Sequence, residues 1–270
     1  MYNKAYGIIQ TFAPLHVGAT AGEESGNLNL IFRDQFTQTG IIPGSSIRGR
    51  LRSEKRLIKG EDEANYWYGK EAESGKPDST TESIVKFEYA SIIWLPVFCP
   101  GQPIVWVTCP RLLKRYQRIN NKLKDETIPS PYTASQTLKA LDIDGQQKLF
   151  FNFGFVTIEE TKDLLPWLPL GEELPAVDVE DDAIAIIHDM SLYRQSRVAL
   201  DKKEKKVKGG AFFNTEALPE DTILVFPIAL IEIEDKTKKW QPFDGQDSTD
   251  IYLGGLESIG FGHCEMTLFM

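Results

Sequence analysis

An α+β fold built around an antiparallel sheet is what the sequence predicts. Strand-like segments rich in Val, Ile, Phe, Tyr and Trp recur from one end of the chain to the other. Helical stripes are few, and Pro- and Gly-punctuated loops join these pieces. At 270 residues, 41% hydrophobic and 26% charged, the chain is large enough to bury its own core as one large domain or two small ones.

The elements follow in order. Residues 5–13, AYGIIQTFA, mix alternation with an apolar run and stop before Pro14, as a strand does. Leu15 to Thr39 is rich in Gly, Thr, Ser, Asn and acids around a short apolar piece, Leu28 to Phe32, which predicts an irregular surface segment. In IIPGSSIRGRLRSEKRLIKG, residues 41–60, Ser45 or Ser46 is placed to cap a helix running to Lys59 and loosened at Gly49. Its apolar face would be Ile47, Leu51 and Leu57 or Ile58, and its polar side Arg48, Arg50, Arg52, Lys55 and Arg56. Residues 61–85 read as a loop or insertion, and Ile84 to Phe98 with Pro103 to Thr108 as a hairpin about the CPGQP turn.

Pro110 opens a second helix at the first-turn position where its missing N–H costs nothing. Leu112, Leu113, Tyr116 and Ile119 give it an apolar stripe within a basic remainder. Beyond Pro129 come short strands such as Lys148 to Ile158, then a protruding hairpin formed by Tyr193–Leu200 and Ala211–Phe213 around the charged turn DKKEKKVKGG. Thr222 to Glu234 and Cys264 to Met270 are strands. Between them, YLGGLESIGFGH carries four glycines that leave backbone open to close approach.

Composition excludes several function classes. Cys99, Cys109 and Cys264 form neither a CxxC pair nor an even disulfide set, so buried reduced thiols are expected. No stretch approaches the about 18 apolar residues of a membrane span, and no basic start followed by an apolar stretch marks export, which places the chain in the cytoplasm. His16, His188 and His263 are scattered, so no metal site is expected; Asp178, Glu180, Asp181 and Asp182 read as a solvated acidic loop. The net charge of −9 argues against nucleic acid, yet the basic residues cluster while the acids spread, so a local groove can still be basic.

PGSSIRG and GGLESIGFG are both fitted to cradle phosphate, through exposed backbone N–H groups and a helix start. Neither is a nucleotide fingerprint: GxxxxGK[ST] is absent, and a strand rather than a helix follows the second loop.

As a set these segments resemble the RAMP superfamily of CRISPR proteins. IIPGSSIRGRLR is similar to that family's helix start, and LGGLESIGFGHCEM to its C-terminal glycine-rich loop. ASIIWLPVFCPGQPIVWVTCPRLLKRY, KGGAFFNTEALPEDTIL and PLHVGA resemble the repeated backbone subunit of Cmr-type (III-B) complexes, with Csm-type subunits similar at both ends. The resemblance implies a single domain over 1–270 with a ferredoxin-like, RNA-recognition-type core. It also implies an insertion at about 61–85 and a thumb hairpin at about 190–212. It implies CRISPR RNA, complementary target RNA, other effector subunits and further copies of the chain as partners. The RNA-contacting residues would be His16, Ser45, Ser46, Arg48, Arg50, Lys55, Arg194, Arg197, Gly254, Gly255, Gly260 and Gly262.

Active relatives carry a cleaving aspartate in a pattern like G-x-x-D-x-P before the helix. Here the stretch is GNLNLIFRD, with Asn27, Leu28 or Asn29 at that place. An amide replaces a carboxylate neither as base nor as anionic metal ligand. Asp34 is the remaining catalytic candidate, and only on that reading would Mg2+ or another divalent cation be needed. The expectation is therefore an RNA-binding scaffold with weak or no cleavage of its own; the alternatives are a metal-dependent endoribonuclease subunit and, remotely, a nucleotide-cofactor enzyme.

Overall fold

A computed structural model describes residues 1–18, 28–70, 80–152, 154–200, 207–233 and 237–270. It begins with β1 (Tyr2–Thr11), exposed over its first three residues and largely buried from Ala5 on. Later elements, in chain order, are β2 (Leu28–Asn29), β3 (Ile41–Ile42), α1 (Gly44–Lys59), α2 (Glu61–Tyr68), β4 (Val85–Phe87), β5 (Ala90–Cys99), β6 (Gln102–Thr108) and α3 (Pro110–Ile119). The second half supplies β7 (Thr133–Ser135), β8 (Leu141–Ile143), β9 (Gln146–Phe151), β10 (Gly154–Thr157), β11 (Glu160–Lys162), β12 (Ala176–Asp178) and α4 (Ile184–Ser191). It closes with β13 (Tyr193–Leu200), β14 (Val207–Ala217), β15 (Ile223–Ile231), β16 (Ser248–Tyr252) and β17 (His263–Phe269).

The fold is α+β. The main sheet runs β11-β7-β12-β6-β5-β15-β1-β17-β16, with β1 paired antiparallel to β15 (Ile8↔Val225) and to β17 (Ile8↔Thr267). The sheet is not wholly antiparallel, because β12 lies parallel to β6 and β11 parallel to β7 at one edge. Successive side chains point to opposite faces. Ile9, Leu224 and Ile92 therefore pack with Ile47 and Leu51 of α1, while Ile8, Val225 and Trp94 pack with Leu113 and Tyr116 of α3. The two helices cover opposite faces. A separate small sheet, β13-β14-β2, carries the hairpin expected in the second half. The lysine-bearing turn of that hairpin, residues 201–206, lies outside the described residues.

Several expectations are corrected. Residues 61–68 are helical because their acids stand at a helix N-terminus, where the dipole favours them, while Ala64, Trp67 and Tyr68 are buried. Helix α1 runs unbroken through Gly49, and its buried residues are Ile47, Leu51 and Lys55; Leu57 and Ile58 face solvent. Neither Ser45 nor Ser46 caps it: the N-cap is Pro43, with no side-chain hydrogen bond, and the serines sit in the first turn. Lys148 to Ile158 is two strands of a hairpin, β9 and β10. Helix α4, with its mean apolar run IAIIHDM, went unpredicted. Asp178 belongs to no solvated loop; it is fully buried in β12.

The three cysteines are free and buried. Burial pushes the Cys109 and Cys264 thiols up to about 12, so both stay protonated and inert. Among the described residues, no helix is long and apolar enough to cross a membrane.

Candidate functional site

The start of α1 and the glycine-rich loop after β16, some 200 residues apart in sequence, meet at one cavity of about 410 Å3. Its walls are Val17 and Gly18, Ser46, Gly49 and Arg50, and Tyr252, Gly254, Gly255 and Glu257. The local chain explains the meeting. The turn holding His16 is clamped to the C-terminal loop by Gly255 N–H donating to the His16 carbonyl (2.9 Å) and Gly262 N–H to the Pro14 carbonyl (2.9 Å). Gly254 adopts φ +76°, and a Cβ there would collide with the His16 carbonyl. Only glycine fits. Gly44 is equally constrained, since a Cβ would strike the Phe87 carbonyl and force α1 off the sheet.

Electrostatically the cavity is mixed. The start of α1 lies at it without a side-chain cap, and since the Ser46 N–H is taken by the Pro43 carbonyl (2.9 Å), what the helix offers an anion there is its dipole. Arg50, however, is shared between Glu54 (3.0 Å) and Glu257 (3.5 Å).

The predicted residues do not all gather here. Ser46, Arg50, Gly254 and Gly255 line the cavity, and His16 supplies its carbonyl while its buried ring contacts the Glu216 carbonyl through Nδ1 (2.6 Å). Ser45 is exposed in the first turn of α1 but does not line it. Arg48 turns away to donate from Nε to the Tyr68 carbonyl (2.9 Å). Lys55 is buried, its ammonium donating to the Gln241 carbonyl (2.9 Å). Gly260 and Gly262 shape the loop behind the cavity with positive φ. Sequence reasoning missed Gly18, Tyr252 and Glu257. Tyr252, beside the LGG run and stacked on His263, was legible by position; Glu257 stood inside the loop itself.

Arg194 and Arg197 lie on the hairpin. Arg197 rests over Phe213, 5.6 Å from its centroid. Arg194 belongs to a quartet at the hairpin base: Arg33 reaches Asp189 (3.3 Å) and Glu216 (3.0 Å), and Arg194 reaches Asp189 (2.8 Å) and Glu216 (3.1 Å). Beside it, His188 accepts from the Gly40 N–H through Nε2 (2.9 Å), while burial, then the Arg33 charge, depress its pKa to about 3. It is neutral at every physiological pH.

Asp34 holds its own turn together. Its Oδ1 accepts from Phe36 N–H (3.0 Å), Thr37 N–H (2.8 Å) and the Thr37 hydroxyl (3.0 Å), and its Oδ2 from the Tyr89 hydroxyl (3.4 Å). Partial burial raises its pKa, but those hydrogen bonds outweigh it and leave the carboxyl below its ordinary value. Asn27 lies outside the described residues, and Leu28–Asn29 pair parallel with β14 at Asn214 and Thr215. No cluster of three or more His, Cys, Asp or Glu suited to a metal occurs among the described residues.

Comparison with known proteins follows this geometry. A family model described as the RAMP superfamily matches residues 8–265. The CRISPR system Cmr endoribonuclease Cmr4 of Pyrococcus furiosus is 24% identical over 289 residues, which span 98% of this chain and 96% of that protein. A chain of the type III-B Cmr-beta complex bound to cognate target RNA superposes with a TM-score of 0.72 at 19% identity, over 98% of this chain and 97% of that one. Oligomeric Cmr4 from Pyrococcus furiosus gives 0.68 at 21% identity, covering 98% of both chains. At these identities the structural likeness establishes the fold.

Proposed function

Because the chain belongs to the RAMP superfamily, we propose that it is a backbone subunit of a type III CRISPR effector complex, of the Cmr type, that grips CRISPR RNA through phosphate contacts. The observation that carries this reading is the cavity where Ser46 and Arg50 of α1 meet Gly254 and Gly255. A subunit that must accept any guide sequence has to read phosphate and shape and not base edges. A helix start, one arginine and backbone left approachable by glycine are what such a contact requires. The hairpin β13–β14, which bears Arg194 and Arg197, is the thumb, and the rest of 1–270 a single palm domain. Complementary target RNA, sister subunits and further copies of the chain are its partners, in the cytoplasm. Ser45 is exposed one residue before Ser46 without lining the cavity, while Arg48 and Lys55 tie α1 to the Tyr68 and Gln241 carbonyls.

On the same reading this subunit cleaves target RNA weakly or not at all. Asp34 already serves four local donors, and 27–29 offers Asn, Leu and Asn. The test of the RNA-binding reading is affinity for single-stranded RNA as a function of salt. Each phosphate contact contributes a slope of about −0.7 in log K against log salt. Arg50→Gln should shallow the slope by about that amount, and an unchanged slope would remove the cavity from the interface.

A further inference from the structure

The fold treats the cations of its two basic helices differently. On α1, away from the cavity, they are consumed internally, Arg48 by the Tyr68 carbonyl, Lys55 by the Gln241 carbonyl, Arg56 by Glu61 and Lys59 by Asp244, while Arg50 at the cavity is shared between the partly exposed Glu54 and Glu257. On α3, Arg111, Lys114 and Arg118 recur at spacings of three and four, so they stand on one face, and all three are exposed. Among the described residues, none of the three side chains has an ion pair or hydrogen bond. Lys122 and Lys124, also exposed, continue the basic run past the helix end.

These three cations line a groove of about 620 Å3 closed on its far side by Ile128, Pro129 and Pro131. Its one acid, Asp181, has an oxygen engaged by the Arg111 backbone N–H (2.9 Å). At the near end the Arg111 guanidinium lies 5.1 Å from the centroid of Phe36, a ring 73% exposed.

We propose that this face of α3, with Phe36, binds a second stretch of single-stranded nucleic acid, separate from the one in the cavity of α1; the inference rests on the RNA-binding reading above. Neighbouring like charges on a helix cost a few tenths of a kcal/mol per pair, and among the described residues no side-chain ion pair with the three offsets that here. Phosphates would. From Arg111 to Lys122 the stripe extends roughly 15 Å at about 1.5 Å per residue, enough for several phosphates in a row. An exposed ring beside an arginine is the platform on which an unpaired base stacks, a contact worth about 1–3 kcal/mol. An acidic protein would match the charges but leave that ring without a purpose. Since α1 and α3 cover opposite faces of the main sheet, the two contacts are independent.

The experiment uses the whole chain and a fluorescent, unstructured single-stranded RNA of about 20 nucleotides, with salt varied. The triple variant Arg111→Gln, Lys114→Gln, Arg118→Gln should shallow the salt slope by about 1.4 to 2, at about 0.7 per contact. Phe36→Ala should weaken binding by about fivefold or more while leaving the slope alone. All four side chains are exposed or on the rim, and an unchanged thermal midpoint verifies folding. Losses from the triple variant and from Arg50→Gln should multiply, as independent sites require; a combined loss no greater than the larger single one would make them one site and overturn the inference. Wild-type RNA binding that the triple variant leaves intact would overturn it too, with the cavity reading still standing. If that same variant lost a protein partner, the face would be assigned to protein. Absence of RNA binding by the wild type would end both readings.

Discussion

Among the described residues, neither carboxylate oxygen of Asp178 has a hydrogen-bond partner, and the side chain is fully buried beside Thr108 and Thr133, whose hydroxyls also lack partners there. Burial, then the nearby Asp181 charge, push its carboxyl up to about 8. An unfolded aspartate releases its proton near about 3.9. Between about 4 and 8 the folded chain therefore holds one proton more than the unfolded chain, and stability falls as pH rises, by at most about 1.4 kcal/mol per unit. Asp178→Asn should match the wild type near pH 4 and exceed it increasingly up to pH 8. Chemical denaturation at several pH values checks this, and parallel stability curves would contradict it. Asp34 is the opposite case, a carboxylate saturated with donors. In assembled complex with matched target RNA and magnesium, Asp34→Asn, which keeps the acceptor oxygen of the turn, should leave any site-specific products unchanged. Their loss would show Asp34 to be the cleaving group.

At the scale of elements, what the sequence made legible depended on whether a signal was local. The start of α3 at Pro110, the β5–β6 hairpin and the terminal strand followed from turn residues and alternation, which act over a few positions. Lys55 was misread because its partner, the Gln241 carbonyl, is 186 residues away, and no helical periodicity reports that. The arginines of α1 were read as a free basic face for the same reason; their acids lie one turn along the helix at Glu54, on α2 at Glu61 and on the C-terminal loop at Glu257. The site was thus half legible: the glycines and Ser46 announced it, while the acid that tempers it, Glu257, was on view but unweighed. The quartet at the base of the β13–β14 hairpin is a second long-range product. Glu216, 2% exposed, answers both Arg33 and Arg194. Glu216→Gln should destabilise the chain by about 1–3 kcal/mol, less than the about 3–5 of a fully buried pair because Arg194 is partly screened by solvent. Thermal unfolding measures it, and a neutral result would reduce the quartet to a surface ornament.

Across the whole molecule, a net charge of −9 and the proposed RNA-gripping role are reconciled by position. Acids pair with cations of α1, whereas Arg111, Lys114 and Arg118 of α3 have no acid partner among the described residues. Net sign governs solubility and long-range approach; contact is decided within a Debye length of roughly 10 Å. The parallel pairing of β2 with β14 carries a mechanical consequence. The stretch that enters the Asp34 turn is stitched to β14 by strand pairing, and Arg33 is tied to the same strand through Glu216. A displacement of β14 would therefore tug on that stretch as through a lever, because both ties must stretch before the two can part.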